Sequence, residues 1–504
     1  MRKYLLLLSV CAIGKAQAQK IADPRPFAQA ITAADLKHHL YIVASKDFEG
    51  RETATEGQRK AAAYIETQFK ALGLAPGNGS NYQLYYPVFQ DSLTEAGLWV
   101  NDQTFTLNQD FFASVAADND ATLFGSEVVF AGYGISDSTR DDYKDLNVKG
   151  RIVLVLNGQP AGAAPAAGGR RNRGAGFYAK QEAAQKNGAA GILVLAPTPQ
   201  RNLMTAKGNM YLSEYKKVNY PNTFYITEKV ARAILGNDYT AAQSGNPQPK
   251  PYAVNVKMNF RKSILHLQSS DVLGFLEGTD LKDQIVVLSA HYDHLGKKDT
   301  VIWYGADDDG SGTVSIIELA TAFAKAKAAG KGPRRSILFL ANSGEEKGLW
   351  GSQYYSEHPT YPLDHTNVDL NIDMIGRIDP NRKIGDSTNY VYVVGSDKLS
   401  TDLKPISEGM NKKYSKLELD YKFDDPTDPE RIYYRSDHYN FARKGVPIIF
   451  YFDGIHKDYH QPTDTPDKIN YDIMEKRARF VFYTAWEMAN RADMLKRDIP
   501  LTQQ

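Results

Sequence analysis

Ile285-Val286-Val287-Leu288-Ser289-Ala290-His291-Tyr292-Asp293-His294 is the stretch on which the architecture turns. Three β-branched residues, a leucine and two small residues make a short continuous apolar run, the pattern of a strand buried on both faces. The run stops at a histidine, with an acid and a second histidine just beyond. Outward from it the texture repeats. Ile337–Leu340, Asp369–Met374, Tyr390–Val394 and Ile448–Phe452 read as further strands. Val314, Ile317 and Phe323 mark a helix that stops near Gly330, and Met474–Asn490 reads as a closing helix. Strands alternating with helices predict an α/β fold, a mixed, largely parallel twisted sheet with helices on both faces. In such sheets function gathers at the carboxyl ends of the strands.

Acids and histidines fall at those ends. His291 follows the first strand, and Gly305-Ala306-Asp307-Asp308-Asp309-Gly310-Ser311-Gly312 leads into the next helix. Asn342-Ser343-Gly344-Glu345-Glu346 follows Ile337–Leu340, Asp373 ends its strand, and Tyr459-His460 lies beyond Ile448–Phe452. Singly each has a plain reading: a loop histidine, a solvated turn, a helix-start acid favoured by the dipole, a packed loop. Five together in one α/β segment argue for a shared crevice. Three adjacent acids repel one another unless a cation lies near. Two histidines and several carboxylates with no sulfur ligand suit zinc or a similar first-row ion. The ligand count also fits two ions about 3.5–4 Å apart, bridged by one carboxylate and activating a shared water.

The blocks Ala290-His291-Tyr292-Asp293, Gly305–Gly312, Ser343-Gly344-Glu345-Glu346-Lys347-Gly348-Leu349-Trp350-Gly351-Ser352, Asn371-Ile372-Asp373-Met374 and Tyr459-His460 resemble, in order and spacing, the co-catalytic dizinc aminopeptidase family. That family, clan MH, includes secreted bacterial leucyl-type aminopeptidases, glutamate carboxypeptidase and the metal-free transferrin receptor. The resemblance covers residues 262–490. It implies a zinc-exopeptidase fold and two Zn2+ ions, with a peptide as substrate. Residue by residue it implies that His291 and Asp373 bind one zinc, that Glu346 and His460 bind the other, and that the Asp308 carboxylate bridges them, with a cis peptide bond between Asp308 and Asp309. It further implies Glu345 as general base, Asp293 as the acid that orients His291, and Tyr459 as a hydrogen-bond donor to the carbonyl oxygen in the transition state. The residue chemistry agrees for Glu345, because an acid beside a ligand carboxylate lies close to the water it must deprotonate.

The rest of the chain frames this segment. Its 504 residues carry 60 Lys plus Arg against 59 Asp plus Glu, which gives no basic excess for a nucleic-acid partner. No apolar run reaches the ~18 residues of a membrane span. Met1-Arg2-Lys3, the apolar Tyr4–Ile13 and Ala16-Gln17-Ala18 read as a signal peptide over 1–18. Cys11, the only cysteine, lies inside it, so disulfides, thiolate metal sites and a cysteine nucleophile are excluded from the mature chain. Together these predict an exported protein, periplasmic or extracellular, of a bacterium.

Ala62, Ile65, Phe69 and Leu72 form a helical stripe closed by Gly73. Strand and glycine signals at Val128–Gly134, Ile152–Leu156 and Gly188–Leu195 mark a β-rich module, with Ala161–Gly176 read as a loop and Ala179–Lys186 as a helix. Phe130–Ile135, Asn147–Val153 and Phe177–Lys180 resemble the protease-associated domain inserted in this family, which implies a cap that selects substrates. The expected division is a signal at 1–18, an N-terminal peptidase part at 19–115, a protease-associated insert at 116–261 and the main peptidase part at 262–504. Ser436-Asp437-His438 reads as structural, and Arg431 and Arg435 as surface ion pairs ahead of a role in reaching a substrate carboxylate. The function expected is an aminopeptidase. A dipeptidyl-peptidase, dipeptidase or carboxypeptidase of the same family stands behind it, and a non-catalytic receptor-like binding protein is the reading from another class.

Overall fold

A computed structural model describes residues 21–501 except 139, 161–172, 197, 199, 201–202, 214–219 and 244–247, and of 173–177 only the backbone. The expected signal segment therefore lies outside the described residues. The chain divides into two compact units, one formed by residues up to Tyr86 together with Ser269 onward, the other by Pro87–Gln268.

The first unit holds the sheet predicted from Ile285–Ala290. Its strand order is Glu418–Asp420, Tyr390–Val394, Ile448–Phe452, Thr366–Ile372, Leu281–His291, Arg335–Asn342 and then the end of Lys250–Leu276. Leu281–His291 runs parallel to both its neighbours, and Thr366–Ile372 is parallel to Ile448–Phe452. Antiparallel pairing enters beyond that core, where Tyr390–Val394 meets Ile448–Phe452 and where Val272–Leu276 meets Arg335–Asn342. This is the mixed, largely parallel sheet expected.

Side-chain alternation explains why the strands are apolar throughout. Val286 and Leu288 point into one core, with Leu36, Ile65, Val314, Phe323 and Trp486 from the helices Ala33–Val43, Glu56–Ala71, Gly312–Ala328 and Tyr471–Asn490. Ile285 and Val287 point into the other, against Tyr355, Phe441 and Val446. Each fully buried apolar side chain contributes roughly 1.5–3 kcal/mol, so both faces must be covered. The stripe at Ala62–Phe69 lies on the Glu56–Ala71 helix, and Gly73 follows it at φ +71°. The last helix starts at Tyr471, where the Asn470 side chain accepts the Ile473 N–H; the apolar period alone marked it only from Met474.

The second unit is built on parallel strands Ala121–Phe130, Ile152–Leu156, Gly191–Leu195 and Asn222–Ile226. Two expectations shift here. The unit starts at Pro87, not at 116, because the strand Gln83–Val100 pairs with Gln103–Phe105 and Lys207–Tyr211. It ends at Gln268 instead of 261, within the single strand Lys250–Leu276. Of the expected Ala161–Gly176 loop, residues 161–172 lie outside the described residues, and 173–176 are the first turn of the helix Arg173–Lys186. Among the described residues no helix is long and apolar enough to cross a membrane.

Candidate metal centre

His291 is the last residue of its strand, and Asp373 follows immediately after Thr366–Ile372. Asp308 lies on the wide turn Ala306–Ser311, with a cis peptide bond to Asp309. Glu345 and Glu346 open a short turn behind Arg335–Asn342. Gly344 makes that turn possible. Its φ is +72°, and a Cβ there would come within 2.6 Å of the Tyr86 hydroxyl and 2.9 Å of Trp350. Tyr459 and His460 come from the loop after Ile448–Phe452. Four strand ends and the acidic turn thus deliver their side chains to one place.

The distances define two groups that share Asp308. His291 Nε2 lies 3.3 Å from Asp308 Oδ1 and 3.7 Å from Asp373 Oδ1. His460 Nε2 lies 3.1 Å from Asp308 Oδ2 and 3.1 Å from Glu346 Oε2. His294, to which the sequence reading gave no role, joins the second group, with Nδ1 2.8 Å from Glu346 Oε1 and 3.9 Å from Asp308 Oδ2. Glu345 Oε2 is 3.9 Å from His291 Nε2.

These atoms fit a metal better than they fit one another. His291 Nε2, both ring nitrogens of His294, Asp308 Oδ2 and Glu346 Oε1 are buried and have no hydrogen-bond partner among the described residues. Each orphaned buried polar group costs about 1–3 kcal/mol, so several in one crevice call for a missing partner. Ligand sets of His291, Asp308 and Asp373, and of His294, Asp308 and Glu346, converge closely enough to hold an ion each. The donors are imidazole nitrogens and carboxylate oxygens only, the chemistry of zinc and its neighbours. Burial opposes ionisation of Asp308, yet the His291 and His460 imidazoles hold its carboxyl well below the usual range. His460, despite burial, is pushed up to about 10 by Asp308 and Glu346. Metal binding would displace that proton.

The outer acids of the triplet do a different job from the middle one. Asp309 accepts the backbone N–H of His291, Gly312 and Met374 at 3.2, 2.8 and 3.0 Å. Asp307 accepts Gly376 N–H at 2.7 Å. The repulsion among three adjacent acids is thus relieved largely by backbone donors. Asp293 departs from its expected part: His291 Nδ1 lies 3.1 Å from the Asp293 backbone carbonyl and 3.7 Å from its carboxylate. That carboxylate accepts the Thr53 hydroxyl and the Glu345 N–H instead. Burial raises Glu345 well above the usual carboxyl range. Tyr459 stacks on His460, and its hydroxyl accepts Arg435 Nη2–H at 3.1 Å. Arg435 is not simply a surface ion pair. It lines a pocket with Asp308, Glu345, Asp373, Tyr459 and the apolar Met374, Ile432, Phe450, Phe452 and Ile455.

Ser436-Asp437-His438 is buried structure, as expected. Asp437 accepts the Ser352 hydroxyl, and His438 stacks on Phe450 at 4.7 Å. Arg51 is a supporting residue that sequence reasoning passed over. Fully buried, it donates to the carbonyls of Val43, Tyr292, Tyr304 and Gly305. It so ties the N-terminal segment to the loops of His291 and of the acidic turn.

Residues 271–485 match the sequence profile of Peptidase family M28. That match takes in every residue of the centre, from His291 to His460. A probable leucine aminopeptidase of Arthroderma otae is 31% identical over 214 residues, 41% of this chain and 55% of that protein. The solved structure of BSAP, a zinc aminopeptidase from Bacillus subtilis, aligns with a TM-score of 0.53 over 92% of this chain and 96% of that one. At 19% identity that likeness speaks for the fold alone. The chain spans about half the length, or less, of the curated relatives it matches. One expectation is overturned. Four fungal relatives are named vacuolar membrane protease, among them that of Phaeosphaeria nodorum, 30% identical over 138 residues, 27% of this chain and 13% of that protein. Those names place the relatives at a vacuole membrane, and the reading of an exported bacterial protein, periplasmic or extracellular, is withdrawn.

Proposed function

We propose that the chain is a zinc-dependent exopeptidase that removes single residues from peptide N-termini, using two metal ions that share Asp308. The observation that carries this reading is the pair of ligand groups meeting on one carboxylate, with buried donor atoms that lack hydrogen-bond partners among the described residues. His291 and Asp373 would hold one ion, and Glu346 and His460, with His294 beside them, the other. Zinc held there supplies a Lewis acid and a water activated at neutral pH. Glu345 takes the proton from the attacking water and passes it to the leaving amine. Its raised affinity for a proton suits a group that must hold one in mid-reaction. Burial keeps the Tyr459 phenol protonated, ready to donate to the oxygen that becomes anionic.

The pocket indicates what is removed. Met374, Ile432, Phe450, Phe452 and Ile455 offer an apolar wall beside Glu345 and Asp373. The two carboxylates favour a free α-ammonium next to that wall. Arg435 on the same wall repels a basic side chain, so apolar first residues are preferred. The guanidinium also favours a second reading, in which it binds a substrate carboxylate and the enzyme is a carboxypeptidase or dipeptidase. Residues 87–268 we read as the protease-associated insert of such an enzyme, on the strength of the Phe130–Ile135 and Asn147–Val153 stretches.

Matched peptides with free and acetylated N-termini, followed by mass spectrometry, test the assignment. The expected result is a ladder from the N-terminus of free peptides with apolar first residues, and resistance of acetylated ones. Release of C-terminal residues first, or equal cleavage of both forms, would overturn the aminopeptidase reading.

A further inference from the structure

The loop that presents Tyr459 and His460 is fastened to the acidic turn by two side chains the mechanism does not use. Asp464 Oδ2 accepts the backbone N–H of Asp307 at 2.9 Å and of Asp308 at 3.2 Å. The Asp464 carbonyl accepts Ala306 N–H at 3.2 Å. His456 Nε2 lies 3.1 Å from Asp307 Oδ2, and His456 Nδ1 accepts the Asp458 N–H at 3.2 Å. A ring nitrogen that accepts carries no hydrogen, so Nε2 bears it and His456 donates to Asp307. The other oxygen of Asp307 accepts Gly376 N–H, just past Asp373. Three loops, bearing Asp308, Asp373 and His460, therefore meet at Asp307, His456 and Asp464, all of them buried.

We propose that Asp464 and His456 are positioning residues that set the distance between the His460 imidazole and the shared Asp308 carboxylate. The inference rests on the two-metal reading above. His460 is the most exposed of the proposed ligands, with 37% of its side chain open to solvent, and it sits at φ +56° in a loop. Its own packing leaves it the least constrained. Asp464 grips the peptide groups on both sides of the Asp307 Cα, and His456 grips the Asp307 carboxylate, so the loop and the bridging residue move as one body. Partners of this kind, one step removed from a metal, are typically worth about 10–100-fold in metal affinity.

The test titrates Co2+ into the full metal-free chain, reading affinity and the visible absorption of each bound ion. Asp464→Ala removes the acceptor, Asp464→Asn keeps one oxygen for both N–H groups, and His456→Leu removes the donor while keeping the bulk. Wild type should bind two ions. Asp464→Ala and His456→Leu should bind one with wild-type affinity and the second about 10–100-fold more weakly, with its absorption changed, and Asp464→Asn should return to within about threefold of wild type. Should Asp464→Ala fail to fold, His456→Leu carries the same comparison. Wild-type affinity for both ions in Asp464→Ala or His456→Leu would overturn the proposal, as would a loss in Asp464→Asn equal to that in Asp464→Ala. A wild type that binds fewer than two ions would instead remove the two-metal reading on which the proposal stands.

Discussion

Glu345 and Glu346 are neighbours in the chain with opposite expected behaviour. Glu346 Oε2 lies 3.1 Å from the His460 ring, whereas Glu345 lies 3.9 Å from His291 and lines the pocket. Glu345→Gln should therefore keep both metals by elemental analysis and lose at least about 10²–10⁴-fold in kcat, because the amide keeps the shape and cannot take a proton. Near-wild-type turnover would move the base elsewhere. Glu346→Ala should lose metal instead. The side chains legible in the sequence are those that stand directly at strand ends, such as His291 and Asp373, and Asp308 at the centre of its acidic triplet. His294, three residues past His291, carries no such signal. The chain leaves the strand at His291, so period-2 reasoning no longer says where a later side chain points. The outer acids of the triplet were legible as a repulsion and not as a solution, since two of the N–H groups they bind come from Gly376 and Met374, more than sixty residues away.

At the scale of elements, the supports of the centre come from segments with no chemistry of their own. The short turn Lys46–Arg51 contributes Arg51, whose four bonds to carbonyls fix the loops around His291 and Gly305. Arg51→Met would leave those carbonyls unpaired in the interior and should cost about 3 kcal/mol or more in urea unfolding. Arg51→Lys should be nearly as damaging, because one ammonium cannot reach the separated acceptors that a planar guanidinium spans. Full stability in Arg51→Lys would show that charge, not geometry, is what matters there. In the sequence Gly50-Arg51-Glu52 looks like solvated surface, and nothing local reveals partners some 240 residues away. The central strands, by contrast, were readable because an apolar run buried on both faces needs no distant information. The boundary at Pro87 was not, since the strand Gln83–Val100 continues from one unit into the other without a composition break.

At the scale of the whole molecule, every proposed ligand belongs to one of the two units. A chelator should therefore lower the melting transition of the metal-bearing unit and leave that of residues 87–268 in place. Metals bound at about a thousand times their Kd add ~4 kcal/mol, a shift on the order of 10 °C for a unit of this size. Scanning calorimetry with and without EDTA reads both transitions. Equal movement of the two would argue against metal held by the first unit alone. That same unit is interrupted in the chain by Pro87–Gln268, and the interruption has a consequence in time. Translation delivers residues in order, at roughly 5–20 per second. Arg51 emerges well before Tyr292 and Gly305, the residues it is to hold, and at that rate the wait is on the order of tens of seconds. During the wait Leu36, Leu40, Ile65 and Phe69 have no sheet to cover. The inserted unit can complete itself on the ribosome first, while the amphipathic N-terminal helices remain clients for a chaperone until the last strands arrive.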